Sequence, residues 1–191
     1  KPILGKIVTK KSGHKSNVEF AKVLKKKMIE QKKLRGLPTY DPDKNPVFNT
    51  VDIQSMLPHR YPFLLVDKII EVTNSQVVGV KNVTMNEAIF MGHFPNNPVF
   101  PGMLLLEALA QTGGVYALSQ QQDPHLWDTY FLKVDNAKFR QKVVPGDTLI
   151  LKMELISPIR RGLVQIAGTA YVGTKVVCEA ELTAQIIMRD S

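Results

Sequence analysis

The chain has one cysteine, Cys178, and one tryptophan among 191 residues. A single thiol closes no intrachain disulfide, which excludes a disulfide-stapled scaffold and points to a reducing compartment, so a cytoplasmic location is expected. No apolar run approaches the ~20 residues that span a bilayer, and the N-terminus lacks the basic, apolar and small-residue layout of a signal peptide. No membrane span is therefore expected. Repeats and low-complexity tracts are absent, and the first residue is Lys1 rather than Met, so the chain reads as a fragment. What is present is ordinary globular composition: 44% hydrophobic and 22% charged, enough apolar residues to bury a real core. The net charge of +8 is unevenly spread. Residues 1–50 hold 13 Lys and Arg against 4 Asp and Glu, leaving 12 against 13 for the remainder. The basic run KKKMIEQKK has no interleaved aromatics and belongs to no nucleic-acid-binding motif, so it reads as a solvated helix face and nucleic acid is not expected as a partner.

Ser16 followed by Glu19 has capping-box spacing, and Ala21, Leu24 and Met28 then recur on one helix side. Gly36 would stop this helix, and GLPTYDPDKNP reads as an extended linker. Three segments result: an appendage over 1–36, a linker over 37–50 and a main domain over 51–191. In the last, FLLVDKIIEV and SQVVGVKNVT predict a hairpin turning at Asn74 and Ser75. DTLILKMELISPI, GLVQIAGTAYVG and KVVCEAELTAQIIM predict an antiparallel meander. Between them, MLLLEALAQTGGVYALSQ is apolar on all sides, the pattern of a buried helix, with Pro101 suited to its start. Gly113 and Gly114 inside it suggest close approach of another backbone. The fold class is α+β, a long antiparallel sheet wrapping one helix.

Glu107 is the only charged residue between His93 and Asp123. A carboxylate among leucines and alanines must be neutral, paired or functional, because burying it unpartnered is costly. A solvent-facing rim glutamate is the alternative. Gln111, four residues on, is placed to orient it and is also a candidate substrate-binding residue. His93 precedes FPNNPVFP, a stretch that cannot be helical and would hold the imidazole on a rigid loop; a purely structural histidine is the alternative. An imidazole base, a carboxylic acid and a helix start at Gly102, whose amide favours developing negative charge, form a set suited to elimination next to a thioester carbonyl.

LPHRYPFLLVD (Leu57 to Asp67), GHFPNNPVFPGMLLLEALAQTGG (Gly92 to Gly114) and YFLKVDNAKFRQKVVPGD (Tyr130 to Asp147) resemble, in order, three blocks of the bacterial (3R)-hydroxyacyl-[acyl-carrier-protein] dehydratases of the hot-dog fold. The resemblance covers roughly residues 50–190 and implies a lyase of fatty acid synthesis. In it His93 would take the C2 proton, Glu107 would protonate the leaving C3 hydroxyl and the Gly102 amide would hold the thioester oxygen, without metal or redox cofactor. It also implies that a shared site takes His93 and Glu107 from different subunits of a homodimer, three dimers commonly forming a hexamer. Tyr130 matches a residue that gates the acyl tunnel, its plain alternative being a strand-edge aromatic; Phe63, Phe90 and Phe94 would line the tunnel or fill core. The substrate's acyl carrier protein is acidic, and Lys133, Lys138, Arg140, Lys142, Arg160 and Arg161 are the cations available to it. His59 and Arg60 are expected to be structural, bonded to backbone or to Asp67.

GKIVTKKSGHKSNVEFAKVL, Gly5 to Leu24, resembles the C-terminal end of the zinc-dependent UDP-3-O-acyl-N-acetylglucosamine deacetylases of lipid A synthesis, with His14 matching a histidine that protonates the leaving amine. The zinc-ligand segments of that family are absent from this sequence, so zinc would belong only to the deacetylase part outside it. The two resemblances together imply a fused bifunctional protein; the alternative is a stand-alone dehydratase with an unrelated basic extension. Two other functions stay open at this level, a hot-dog acyl thioesterase and a catalytically idle carrier-protein-binding module.

Overall fold

The computed structural model describes residues 13–34 and 36–189. Residues 5–12 and the side chain of His14, part of the deacetylase-like stretch, lie outside the described part. The chain divides into two compact units, Lys1–Leu37 and Pro38–Ser191. In the first, helix α1 spans His14–Leu34. It starts one turn earlier than expected, because Ser16 is not its N-cap: the Ser16 hydroxyl accepts from the Gly13 amide at 3.0 Å and donates to the Gly13 carbonyl at 2.9 Å. Gly36 adopts φ 86, the conformation of a helix stop.

Residues 38–50, expected as a linker, belong to the second unit. Tyr40 packs on a small cluster of Val78, Val80 and Ile150 at the outer face of the sheet, and Phe48 exchanges backbone hydrogen bonds with Ile69. Helix α2, Thr50–Met56, has the capping box that sequence reading did not find there. The Asn49 side chain accepts from the amides of Val51 and Asp52, and Asp52 accepts from the Asn49 amide. This satisfies first-turn donors that would otherwise lack partners.

Six strands form one antiparallel sheet: β1 Lys68–Val72, β2 Gln76–Asn82, β3 Trp127–Phe139, β4 Thr148–Leu155, β5 Leu163–Val172 and β6 Lys175–Met188, in spatial order β1-β2-β4-β5-β6-β3. The expected hairpin and meander are β1–β2 and β4–β5–β6. Helix α3, Gly102–Ser119, is the buried helix; the run from Ala108 to Leu118 is buried on every side, in one core with Val77, Leu151, Met153 and Ile166 from the sheet. This is the hot-dog arrangement. Close approach of helix and sheet is permitted from the sheet side rather than by Gly113 and Gly114, which meet only side chains. A Cβ on Gly79 of β2 would lie 2.8 Å from Thr112 Oγ1, and one on Gly168 of β5 would lie 3.2 Å from Leu109 Cδ1.

Strand β3 is the element the sequence hides. It is half or fully exposed along its length, because it lies at the sheet edge and pairs only with β6, so no alternation marks it. Cys178, on β6, is buried, and burial, with the negative charge of Glu179 second, pushes its thiol up to about 11. At pH 8 only about one thiol in a thousand is then ionised. A thiol reagent is expected to titrate Cys178 only when denaturant opens the fold; fast labelling of the native chain would contradict this burial.

Candidate active site

His93 follows a single 3-10 turn, Ala88–Met91, and its amide donates to the Ile89 carbonyl at 2.9 Å. Its own carbonyl accepts from the Val99 amide at 3.0 Å, and the Val99 carbonyl lies 2.6 Å from Nδ1. A carbonyl only accepts, so Nδ1 carries a proton, and in the neutral ring the lone pair is on Nε2. The loop between is closed by reciprocal bonds of Phe94 and Asn97, with Asn96 at φ 65, a conformation asparagine tolerates. Phe94, exposed, stacks on the imidazole with ring centroids 4.1 Å apart. The expected rigid loop is therefore a hydrogen-bonded holder that fixes which nitrogen of the neutral ring carries the proton.

Glu107 lies in the second turn of α3, its side chain 19% exposed. Gln111 fixes it: Gln111 Oε1 accepts from the Leu65 amide at 2.8 Å, which leaves the Nε2 protons for the Phe63 carbonyl at 2.7 Å and Glu107 Oε1 at 2.9 Å. The hydrogen bond expected between Gln111 and Glu107 is present, and the loop Phe63–Leu65 sets the direction of the Gln111 amide. His59 differs from expectation. Its Nε2 stands 3.5 Å from Glu107 Oε1 and its ring stacks on Phe63, while Nδ1 is buried with no hydrogen-bond partner among the described residues. Arg60 is structural as expected, donating to the carbonyls of Leu57, His59 and Gln54. Asp67 serves Asn82 instead.

Gly102 opens α3, where first-turn amides have no acceptor within the helix. The Phe139 ring covers it so closely that a Cβ would lie 2.9 Å from Cε1. Phe63, Leu64 and Leu65 share a cavity of about 410 Å³ with Leu104 of α3 and Ile89 of the 3-10 turn. Phe90 does not line it; it is core, packed on Phe100.

Among the described residues no hydrogen bond or ion pair joins His93 to Glu107 within the chain. Tyr130 is also apart from both. It sits on β3 opposite Gln185, beside Asp128 and Arg189. Along β3 the nine steps from Tyr130 to Phe139, the residue over Gly102, span roughly 30 Å. The cations fall into two groups as well. Lys138 and Arg140 lie at the Phe139 end, whereas Arg160 and Arg161 form the turn before β5, beside Gln185. Arg140 is engaged with Glu179 through Nε at 2.7 Å and Nη2 at 2.6 Å, and Lys133 with Asp135 at 2.9 Å.

Residues 57–181 match the FabA-like domain. Over 135 residues the chain is 50% identical to the 3-hydroxyacyl-[acyl-carrier-protein] dehydratase FabZ of Syntrophobacter fumaroxidans, covering 70% of this chain and 90% of that protein. This chain belongs to the FabZ family. The FabZ resemblance extends to a fusion: the bifunctional enzyme LpxC/FabZ of Bacteroides thetaiotaomicron is 51% identical over 187 residues, 98% of this chain but only 40% of that protein. The chain thus spans about 40% of the length of the bifunctional relative it matches. Among solved structures, the dehydratase heterocomplex ApeI:P from Xenorhabdus doucetiae shares the fold, with a TM-score of 0.61 at 18% identity, covering 78% of this chain and 93% of that one. In this FabZ member the histidine holder and the Gln111 clamp are complete within one chain, while the histidine and the carboxylate remain unjoined.

Proposed function

We propose that this chain dehydrates (3R)-hydroxyacyl thioesters of acyl carrier protein to the trans-2-enoyl thioesters. The observation that carries the reading is the Val99 carbonyl on His93 Nδ1, which leaves Nε2 as a base. Nε2 takes the proton from C2, the C2–H electron pair becomes the C2=C3 bond, and the C3–O bond breaks as Glu107 donates its proton to the departing hydroxyl, giving water. The Gly102 amide at the helix start meets the thioester oxygen as negative charge develops there. The proton then passes from the imidazolium back to the carboxylate. Each step moves only protons and one carbon–oxygen bond, so the chemistry calls for neither metal nor redox cofactor.

The site is completed by a second copy. β3 is an edge strand of 13 residues with Phe131, Leu132, Val134 and Phe139 exposed, and such an edge pairs readily with its own kind. Antiparallel pairing of two β3 strands would carry Tyr130 of one copy toward the Phe139 end of the other, where the α3 start lies, which reconciles a gating role with the distance inside one chain. The same pairing would bring Arg160 and Arg161 of one copy nearer Lys138 of the other, assembling the scattered cations into a surface for an acidic carrier protein. Assembly of three such dimers is part of the proposal.

The extension is proposed as the C-terminal remnant of the deacetylase half of a fusion, since alignment to the bifunctional relative takes in nearly the whole chain. No helix among the described residues is long and apolar enough to cross a membrane, and the carrier-protein substrate favours the cytoplasm.

Ultraviolet absorbance of enoyl thioester, followed with 3-hydroxybutyryl and longer 3-hydroxyacyl carrier proteins, tests the reading. Enoyl product is expected. Free thiol without enoyl product would mean a thioesterase, and tight carrier-protein binding with no reaction would mean an idle module.

A further inference from the structure

A charge pair outside the catalytic set, its lysine buried and its carboxylate 20% exposed, links the two arms of the loop that carries His93. Lys81, the penultimate residue of β2, is only 5% exposed. Its Nζ donates to Glu87 Oε1 at 3.0 Å and to the Asn82 carbonyl at 3.1 Å, and stands 5.8 Å over the Phe100 ring. Glu87 Oε1 also accepts from the Thr84 amide at 3.0 Å. A lysine this deep in a sheet of valines and leucines is costly unless paired and hydrogen-bonded, and here it is both.

The two groups that Lys81 touches are the roots of two chain segments. Glu87 leads into the 3-10 turn Ala88–Met91, and the Ile89 carbonyl of that turn takes the His93 amide. Phe100 directly follows Val99, whose carbonyl takes His93 Nδ1, and packs on Phe90 of the same turn. One ammonium group thus ties the incoming arm through its carboxylate and the outgoing arm through its ring. Both arms end on the imidazole.

We infer that Lys81 and Glu87 are positioning residues that hold the spacing of Ile89 and Val99, and thereby keep the His93 proton on Nδ1 and its lone pair on Nε2. The inference rests on the proposed base role of His93, but it makes a claim about the imidazole that activity is not needed to read. A free imidazole in water favours the opposite tautomer; the Val99 carbonyl reverses that preference only while the loop keeps it 2.6 Å away. Removing the pair should let the loop relax, and a misplacement of about 1 Å at a reacting group can cost about a hundredfold in rate.

The experiment compares wild type, Lys81→Met and the double variant Lys81→Met/Glu87→Leu. The single variant strands a carboxylate and should melt at lower temperature. The double variant removes both charges and should regain much of that stability, as apolar replacement of a buried ion pair often does. Imidazole nitrogen NMR, with His93→Ala to assign the signal, is expected to show the Nδ1-protonated form in wild type and a substantial Nε2-protonated fraction in the double variant. The kcat of the double variant is expected to fall roughly tenfold to a hundredfold, and because Lys81 and Glu87 also line the cavity shared by Phe63 and Leu104, the nitrogen spectrum rather than KM is the readout that isolates positioning. A double variant with wild-type tautomer and kcat would overturn the inference. Should it fail to fold, Glu87→Gln, which keeps the acceptor oxygen but not the charge, carries the same test at smaller amplitude: a shift in the His93 signal supports the inference and an unchanged one overturns it. If wild type turns over no hydroxyacyl thioester, the proposed reaction fails, and the nitrogen spectrum alone still decides whether the pair sets the tautomer.

Discussion

Glu107→Gln and His93→Ala are each expected to lose roughly 10²–10⁴-fold in kcat, the usual weight of a positioned acid or base. The glutamine substitution is the cleaner of the two. Its amide oxygen can still accept from Gln111 Nε2, now 2.9 Å from Glu107 Oε1, so the clamp and the fold survive while the transferable proton is gone. Light scattering should therefore show unchanged assembly. Mixing the two variants then tests where the site is built. If histidine and carboxylate meet across subunits, half of the dimers formed on exchange are mixed and each mixed dimer has one intact site, restoring roughly a quarter of wild-type activity. A mixture that stays inactive, with mixed dimers demonstrated by native mass spectrometry, would place both groups of a site in one chain and remove the second copy from the mechanism.

Gln111→Leu is expected to damage stability and rate together. The side chain is 2% exposed and makes three hydrogen bonds, to the Leu65 amide, the Phe63 carbonyl and Glu107. Leucine fills a similar volume but leaves the backbone pair without partners, at roughly 1–3 kcal/mol for each buried group. In a domain of this size that lowers the melting temperature by on the order of 5–15 °C. Glu107 would keep only the His59 contact at 3.5 Å, so kcat should fall as well. Scanning calorimetry and the enoyl assay check the two effects. A variant with wild-type melting and turnover would mean that the Phe63–Leu65 loop does not depend on this clamp.

Local pattern made much of the architecture legible. The all-round apolar run of α3 and the β-rich runs of β1, β2, β4, β5 and β6 each have the composition of the environment they occupy. β3 was legible only through Tyr130 as a strand-edge aromatic, because an edge strand open on most sides needs no alternation. The α2 capping box was missed although its Asn49 and Asp52 have the right spacing, since asparagine and aspartate serve turns equally well. Within the site, His93, Glu107, Gly102 and Gln111 could be nominated from sequence. The place of His59 beside Glu107 could not, nor that of the Lys81–Glu87 pair behind His93, and Phe90 proved to be core.

The sequence by itself determined the residue types, a histidine on a rigid loop and a carboxylate on a buried helix, because turn chemistry, helix starts and apolar periodicity are properties of neighbouring residues. Only the tertiary structure decided which imidazole nitrogen faces a carbonyl and how the carboxylate is aimed. Those depend on single bonds of 2.6–2.9 Å, and the Gln111 amide that aims Glu107 is itself fixed by backbone groups 46 and 48 residues away. Closure of the sheet around the helix sets such distances, and no local pattern encodes them.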